Sequence, residues 1–234
     1  YNLSVVFDEK NYLVSLAKPI SPKKQYTDKY AHRASQSITM SESFKKIALK
    51  LQKRFNPKFS LEVGSNDGVF LSPLKENGIK ILGVDPAENL VNLANSNGLE
   101  TLHGYFDDKI TDEIIALKGR ADIVTAFNVF AHADDLKSIT QNVFKVLKDS
   151  GIFIIEVQYL LDTIKDLTFD NIYHEHVNYW SATSINNFFI NLGYSIVKIE
   201  RIDTHGGSIR VYVEDNPTHI DESVNEILEL EKNK

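Results

Sequence analysis

The chain has 234 residues, enough for one large α/β domain or a domain with a small annex. Hydrophobic residues make up 42% and charged residues 25%, as in ordinary soluble proteins, and a formal net charge of −6 argues against nucleic acid as a partner. With no cysteine, the chain can form neither disulfides nor thiolate metal sites, and it has no cysteine nucleophile.

No run reaches the roughly 18 apolar residues of a membrane span, and no secretory leader is visible. A cytoplasmic protein without membrane or nucleic-acid partners is the expectation. Val5, Phe7, Tyr12, Val14 and Leu16 suggest a short hairpin, and Pro19 and Pro22 then punctuate a linker. Phe44, Ile47, Ala48 and Leu51 fall at helical spacing between Ser41 and Arg54, and Asn56-Pro57 ends that helix. Lys45, Lys46, Lys50, Lys53 and Arg54 read as its wet face rather than as a phosphate-binding stripe.

Strands and helices then alternate. Phe59–Val63, Ile79–Val84, Glu100–Leu102, Ala121–Phe127 and Gly151–Val157 read as strands. Val69–Asn77, Ala87–Asn97, Ile110–Leu117 and Leu136–Lys148 read as the helices between them. Five such alternations imply parallel strands with crossover helices, buried on both faces. A helix at Thr183–Leu192 and late strands at Tyr194–Arg201 and Gly207–Val213 complete a seven-stranded, doubly wound α/β sheet. Glu222–Lys234 reads as a charged amphipathic helix with no obvious place to pack.

The first strand runs into Glu62-Val63-Gly64-Ser65-Asn66-Asp67-Gly68. In doubly wound folds ligands bind at the carboxyl ends of strands. The glycine spacing is Gly-x-x-x-Gly, not the Gly-x-Gly-x-x-Gly of dinucleotide sites, which disfavours an NAD oxidoreductase. A methionine-bearing sulfonium has no pyrophosphate to cradle, and its ammonium group calls for nearby acids, which Glu62 and Asp67 supply. Asp85, ending the second strand 21 residues after Gly64, suits ribose hydroxyls. Asn128, after the fourth strand, could hold the methionine end, and His132 could orient its loop. Asp134 or Asp135 could also cap the following helix.

Residues 169–181 are dense in proton-moving groups, with Tyr173, His174, Glu175 and His176 consecutive. Histidine titrates near neutrality and suits general base work. The spacing argues against a metal, since paired histidines on a helix bind zinc four residues apart and no cysteine can help. A second cluster, Thr204-His205-Gly206-Gly207-Ser208, lets main chain approach a ligand or simply turns into a strand.

Taken together, these segments resemble the S-adenosylmethionine-dependent sugar C-methyltransferases acting on nucleotide-linked deoxy-keto-sugars. The resemblance lies in Tyr30-Ala31 with Ser35, Glu62–Gly68, Asp85-Pro86-Ala87, Asn128–Leu136, Phe169–His176 and Thr204–Ser208. It implies S-adenosylmethionine as cofactor, bound by Glu62, Gly64, Asn66, Asp67, Gly68, Asp85, Pro86, Phe106, Asn128 and His132. It implies proton chemistry by Tyr173, Glu175 and His176, with His176 the favoured base. Substrate contacts are expected from Tyr30, His174, His205, Gly206 and Gly207. The expected reaction passes through an enolate that takes the methyl group on carbon. The rivals are O-methylation of a sugar or small molecule and, in another class, a non-catalytic binding or assembly module.

The chain departs from the family at three places. Phe7-Asp8-Glu9-Lys10 stands about where a zinc-binding Cys-x-x-Cys pair is usual, so no metal is expected. Tyr30-Ala31-His32 carries histidine where a second tyrosine is common. The family's second α/β domain has no counterpart before the end of the sequence, so a fragment or a shortened relative is expected. Residues 1–40 are thus expected to form an N-terminal appendage, 41–216 the methyltransferase domain, and 217–234 a helix or linker.

Overall fold

A computed structural model describes residues 2–26 and 30–233, apart from the side chains of Pro22, Lys23 and His205. Strands β1 (Val5–Asp8) and β2 (Leu13–Leu16) form the expected hairpin, antiparallel with Val5 opposite Leu16. Pro22, read as a linker residue, instead opens the short helix α1 (Pro22–Gln25), a position where its fixed φ suits a first turn. Helix α2 (Ile38–Phe55) starts earlier than its apolar spacing suggests, because the Ser37 hydroxyl accepts a hydrogen bond from the Met40 N–H. It stops at Asn56, which turns left-handed at φ 44°.

The alternating stretch comprises β3 (Phe59–Val63), α3 (Leu71–Glu76), β4 (Lys80–Asp85), α4 (Glu88–Ser96) and β5 (Thr101–His103). It continues through α5 (Asp108–Lys118), β6 (Ala121–Phe127), α6 (Leu136–Val146) and β7 (Leu147–Gln158). The remaining elements are α7 (Leu160–Lys165), β8 (Asn178–Tyr179), α8 (Ala182–Asn191), β9 (Ser195–Ile202), β10 (Ser208–Glu214) and α9 (Glu222–Lys232). Among the described residues, seven strands form one sheet in the order β5-β4-β3-β6-β7-β10-β9, and β1-β2-β8 form a second. Strand β3 is parallel to both β4 and β6, and β4 to β5, whereas β10 runs antiparallel to both β7 and β9. No described helix is long and apolar enough to cross a membrane.

The chain divides into two compact units, Pro22–Ala126 with Ser138–Ile152, and Tyr1–Ser21 with Phe127–Lys137 and Phe153–Lys234. In the first, every residue of β3 is buried, and Leu61, Leu71, Leu74 and Leu82 are almost wholly so. That is the pattern of a parallel strand covered on both faces. In the second, Phe130 packs against Phe153, Trp180 and Phe189 with ring centroids 5.7–6.4 Å apart. The Trp180 indole also donates to the Phe130 carbonyl at 3.0 Å, so this apolar cluster satisfies its own polar atom.

Helix α9 has a definite place in the second unit. Val224 and Ile227 are buried, and the Asp221 N–H donates to the Val197 carbonyl of β9. Near its far end, the Glu231 carboxylate accepts from the Ala182 and Thr183 N–H groups and from the Thr183 hydroxyl, at 2.5–2.8 Å. An acid at a helix N-terminus is favoured both by the open N–H groups and by the helix dipole. Glu231→Ala strands those donors and should cost about 1–2 kcal/mol, read as a lower urea midpoint with an unchanged denaturant slope. Glu229→Ala, on an exposed ion pair with Lys232, should leave the midpoint within error.

Candidate active site

In the first unit, the buried strands β3 and β4 end side by side, and the chain leaves β3 through the Gly64–Gly68 turn. The Gly64 and Ser65 N–H groups donate to the Val84 carbonyl, which pins the turn to the end of β4. Asn66 sits left-handed at φ 50° and Gly68 at φ 83°. A Cβ on Gly68 would lie 2.5 Å from Leu99 Cδ1, so both conformation and space demand glycine there.

Three carboxylates converge on this turn. Glu62 is 4% exposed, and its Oε2 has no hydrogen-bond partner among the described residues. Its carboxyl is pushed well above the ordinary value near 4.5, mainly by burial, with the Asp85 and Asp67 charges adding to the effect. One Asp67 oxygen is likewise buried without a partner, and the other accepts from the Ser35 N–H at 3.3 Å. Asp85 is raised by burial, against the lowering effect of the Ala87 and Asn66 N–H groups. Those N–H groups donate to its two oxygens at 2.8 Å each, so Asp85 also braces the turn from the end of β4.

The segment from Tyr30 lies along the turn. Asn66 accepts from the Ala34 N–H and donates to the His32 carbonyl, while Asn89 donates to the Tyr30 carbonyl. Tyr30, expected to meet substrate, is therefore anchored by its main chain in the unit that carries the glycine turn. The Pro86 carbonyl contacts His103 Nε2 at 3.1 Å, and Phe106 is buried between β5 and α5. Six expected cofactor residues (Glu62, Gly64, Asn66, Asp67, Gly68 and Asp85) thus come together in one turn and its support.

The second unit holds His132, His174 and His176. His176 is 7% exposed. Its Nδ1 lies 2.8 Å from the Asn171 carbonyl and its Nε2 lies 3.0 Å from the Tyr173 hydroxyl. A carbonyl only accepts, so in the neutral ring Nδ1 carries the hydrogen and Nε2 keeps the lone pair, with the phenol donating to it. The Tyr173 hydroxyl is raised above its usual range, chiefly by burial and then by the Glu175 carboxylate, so it stays a proton donor at neutral pH. His132 packs edge-on against His176 with centroids 4.8 Å apart, and its Nδ1 lies 2.8 Å from the Glu175 carbonyl. Glu175 therefore enters through its main chain as well as its charge.

Asn128 is left-handed at φ 57° and donates its N–H to the Glu156 carbonyl. The Glu156 carboxylate accepts from the Thr204 hydroxyl and from Arg210, and all three groups lie in this unit. The Thr204–Gly206 turn is thereby fixed from within the sheet. Gly207 follows at φ 111°, where a Cβ would come within 2.8 Å of Asp162 Cβ. His205 has its main chain in this turn, and its side chain lies outside the described residues. Of the two residues grouped with the cofactor residues on sequence, Asn128 is fastened to Glu156 and His132 to Glu175 and His176. His174 is half-buried in the same loop. The buried pair Glu156 and Arg210 escaped the sequence reading, although a charge inside an apolar strand was its signal.

The model of the methyltransferase-domain family matches residues 30–199. The chain belongs to that family. The methyltransferase domain uses S-adenosylmethionine, and the turn fits that ligand on its own chemistry. Buried, unpartnered oxygens on Glu62 and Asp67 suit a cation, and the glycines leave main chain open. Over 215 residues the chain is 32% identical to the C-methyltransferase NovU of Streptomyces niveus, covering 91% of this chain and 51% of that protein. A ubiquinone biosynthesis O-methyltransferase of Idiomarina loihiensis is 29% identical over 122 residues, covering 51% of this chain and 49% of that protein. The chain thus spans about half the length of the curated relatives it matches. Among solved structures, PH0226 of Pyrococcus horikoshii OT3 superposes with a TM-score of 0.61 at 17% identity, covering 79% of this chain and 94% of that one. Magnesium protoporphyrin IX methyltransferase (ChlM) of Synechocystis PCC 6803, with bound SAH, gives 0.59 at 12% identity, covering 77% and 88%. At those identities the likeness speaks for the fold alone.

The burial of Glu62 carries a sign. Its folded pKa lies above the unfolded one, so its contribution to stability is whole below the unfolded value and is lost as pH climbs toward the folded one. Without donor, Glu62→Gln should therefore melt higher than the parent at pH 7.5, by about 3 °C, the shift expected from roughly 1 kcal/mol. The gap should close toward pH 4.5, and melting curves at the two pH values check it.

Proposed function

We propose that this methyltransferase transfers a methyl group to a carbon beside the ketone of a nucleotide-linked sugar, with His176 as general base. The observation that carries the reading is the fixed His176 ring, whose Nδ1 faces the Asn171 carbonyl and whose Nε2 lone pair accepts from the Tyr173 phenol. The similarity to a C-methyltransferase across 91% of the chain supports it. The Glu62 and Asp67 oxygens hold the ammonium of the donor, Asp85 its ribose, and Pro86 and Phe106 its adenine side.

S-adenosylmethionine supplies an electrophilic methyl group and leaves as the thioether. The chain's own residues do the rest. His176 Nε2 takes the proton from the carbon next to the ketone, and the C–H electron pair moves into the C–C bond while the carbonyl oxygen becomes an enolate. Tyr173 or His174 donates a hydrogen bond to that oxygen. The carbon then forms a bond to the methyl group as the sulfur–methyl bond breaks. The Gly206–Gly207 turn aligns the sugar, and alignment supplies much of the remaining rate.

A second reading, methylation of a hydroxyl by the same base, draws on the O-methyltransferase relatives. Incubation with methyl-labelled S-adenosylmethionine and a panel of nucleotide keto-sugars, read by mass, identifies an acceptor. Loss of deuterium from the carbon beside the ketone, without donor, marks the carbon acid. His176→Ala should abolish that exchange and lower methyl transfer at least about 100-fold; unchanged methyl transfer would remove His176 from the role of base, and no transfer by the parent to any acceptor would turn the reading toward a non-catalytic module. Donor binding should release the proton held by Glu62, so affinity should rise with pH as Glu62 ionises in the free chain. Glu62→Gln should flatten that dependence and weaken binding about tenfold, both read by calorimetry in two buffers of different ionisation enthalpy.

A further inference from the structure

The loop that supplies the Asn171 carbonyl is weakly anchored by packing. Leu167 and Phe169, just before Asn171, are 68% and 53% exposed, and Leu167 holds a left-handed φ of 56°. Local turns, Asn171 N–H to Thr168 and Ile172 N–H to Phe169, give the loop shape but do not fix it to the core. Yet the Asn171 carbonyl decides which His176 nitrogen carries the hydrogen. A shift of that oxygen by an ångström would free Nδ1 and let the ring tautomerise.

The fixing contact comes from the sheet. Gln158, the last residue of β7, donates its side-chain amide to the Asn171 side-chain oxygen at 3.3 Å. The Asn171 amide in turn donates to the Thr168 hydroxyl at 3.2 Å. Gln158 pairs with Ser208 across the antiparallel β7–β10 ladder, and the next residue, Tyr159, donates its N–H to the Gly207 carbonyl. Its main chain is therefore held by two adjacent ladder positions, whereas its amide reaches out to the loop.

We infer that Gln158 and Asn171 are positioning residues, which together hold the Asn171 carbonyl against His176 Nδ1 and so keep Nε2 the basic atom. The inference rests on His176 being the base, but its main consequence, the tautomer, is readable in the protein without donor or substrate. Neither side chain takes or gives a proton in the reaction. Gln158→Leu removes the donor to Asn171, and Asn171→Ala removes the acceptor and the bond to Thr168. Asn171→Asp keeps both links, because a carboxylate accepts from Gln158 and from the Thr168 hydroxyl.

The test is nitrogen NMR of the His176 ring in the full chain, labelled at histidine, with assays on the keto-sugar that the panel identifies. The parent and Asn171→Asp should show the ring protonated on Nδ1. Gln158→Leu and Asn171→Ala should show a mixed ring, with kcat about tenfold lower and KM within twofold. A pure Nδ1–H ring in both disruptive variants overturns the inference, whatever His176→Ala does. A KM change without a kcat change overturns it too. If His176→Ala methylates normally, the base assignment falls with its catalytic consequence, and the ring spectra then show that this failure lies in the base and not in the tether. Should Gln158→Leu not fold, Thr168→Val, which removes the partner of the Asn171 amide, is read in its place by the same spectra.

Discussion

Burying three carboxylates at one turn is the constraint around which the first unit is organised. Like charges in a dry place repel, and each loses its hydration. Asp85 is offset by two N–H donors and Asp67 by one, whereas Glu62 has an oxygen without a partner among the described residues, and burial pushes its carboxyl toward the protonated form. An apolar residue would fill the place of Glu62 at lower cost. A carboxylate there makes sense for a protein that meets a cationic ligand, and this is the physical meaning of the family's donor in this chain.

The histidine cluster of the second unit follows a different logic. Its polar atoms are largely paired, and the pairs run from main chain to side chain. Asn171 and Glu175 act on the rings through their carbonyls, and Glu156 acts through both its carbonyl and its carboxylate. Main-chain acceptors hold a ring's orientation without adding a titrating neighbour.

Much of this was legible from residue order. Phe59–Val63 and Ala121–Phe127 form strands over the expected residues, because a buried parallel strand is a solid apolar run. The glycine turn and its acids were visible because their spacing and chemistry are local. The start of α2 was missed by a few residues, since Ser37 acts through a cap that apolar periodicity does not report. The packing of α9 was invisible because it depends on Glu231 reaching a helix fifty residues earlier in the chain. The Asn171 carbonyl could not be read at all, for every residue type offers the same oxygen. Glu156 and Arg210 went unread, and only the β7–β10 register brings them together.

The strap from His32 to Ser35 joins the turn through main-chain hydrogen bonds to Asn66 and Asp67. Asp67 thus faces two ways, one oxygen on the strap and the other bare. Occupancy of the bare oxygen and closure of the strap are reciprocally linked, by the symmetry that governs any two events at one group. A cation there would share its carboxylate with the Ser35 amide, so it would bear on how firmly that amide is held.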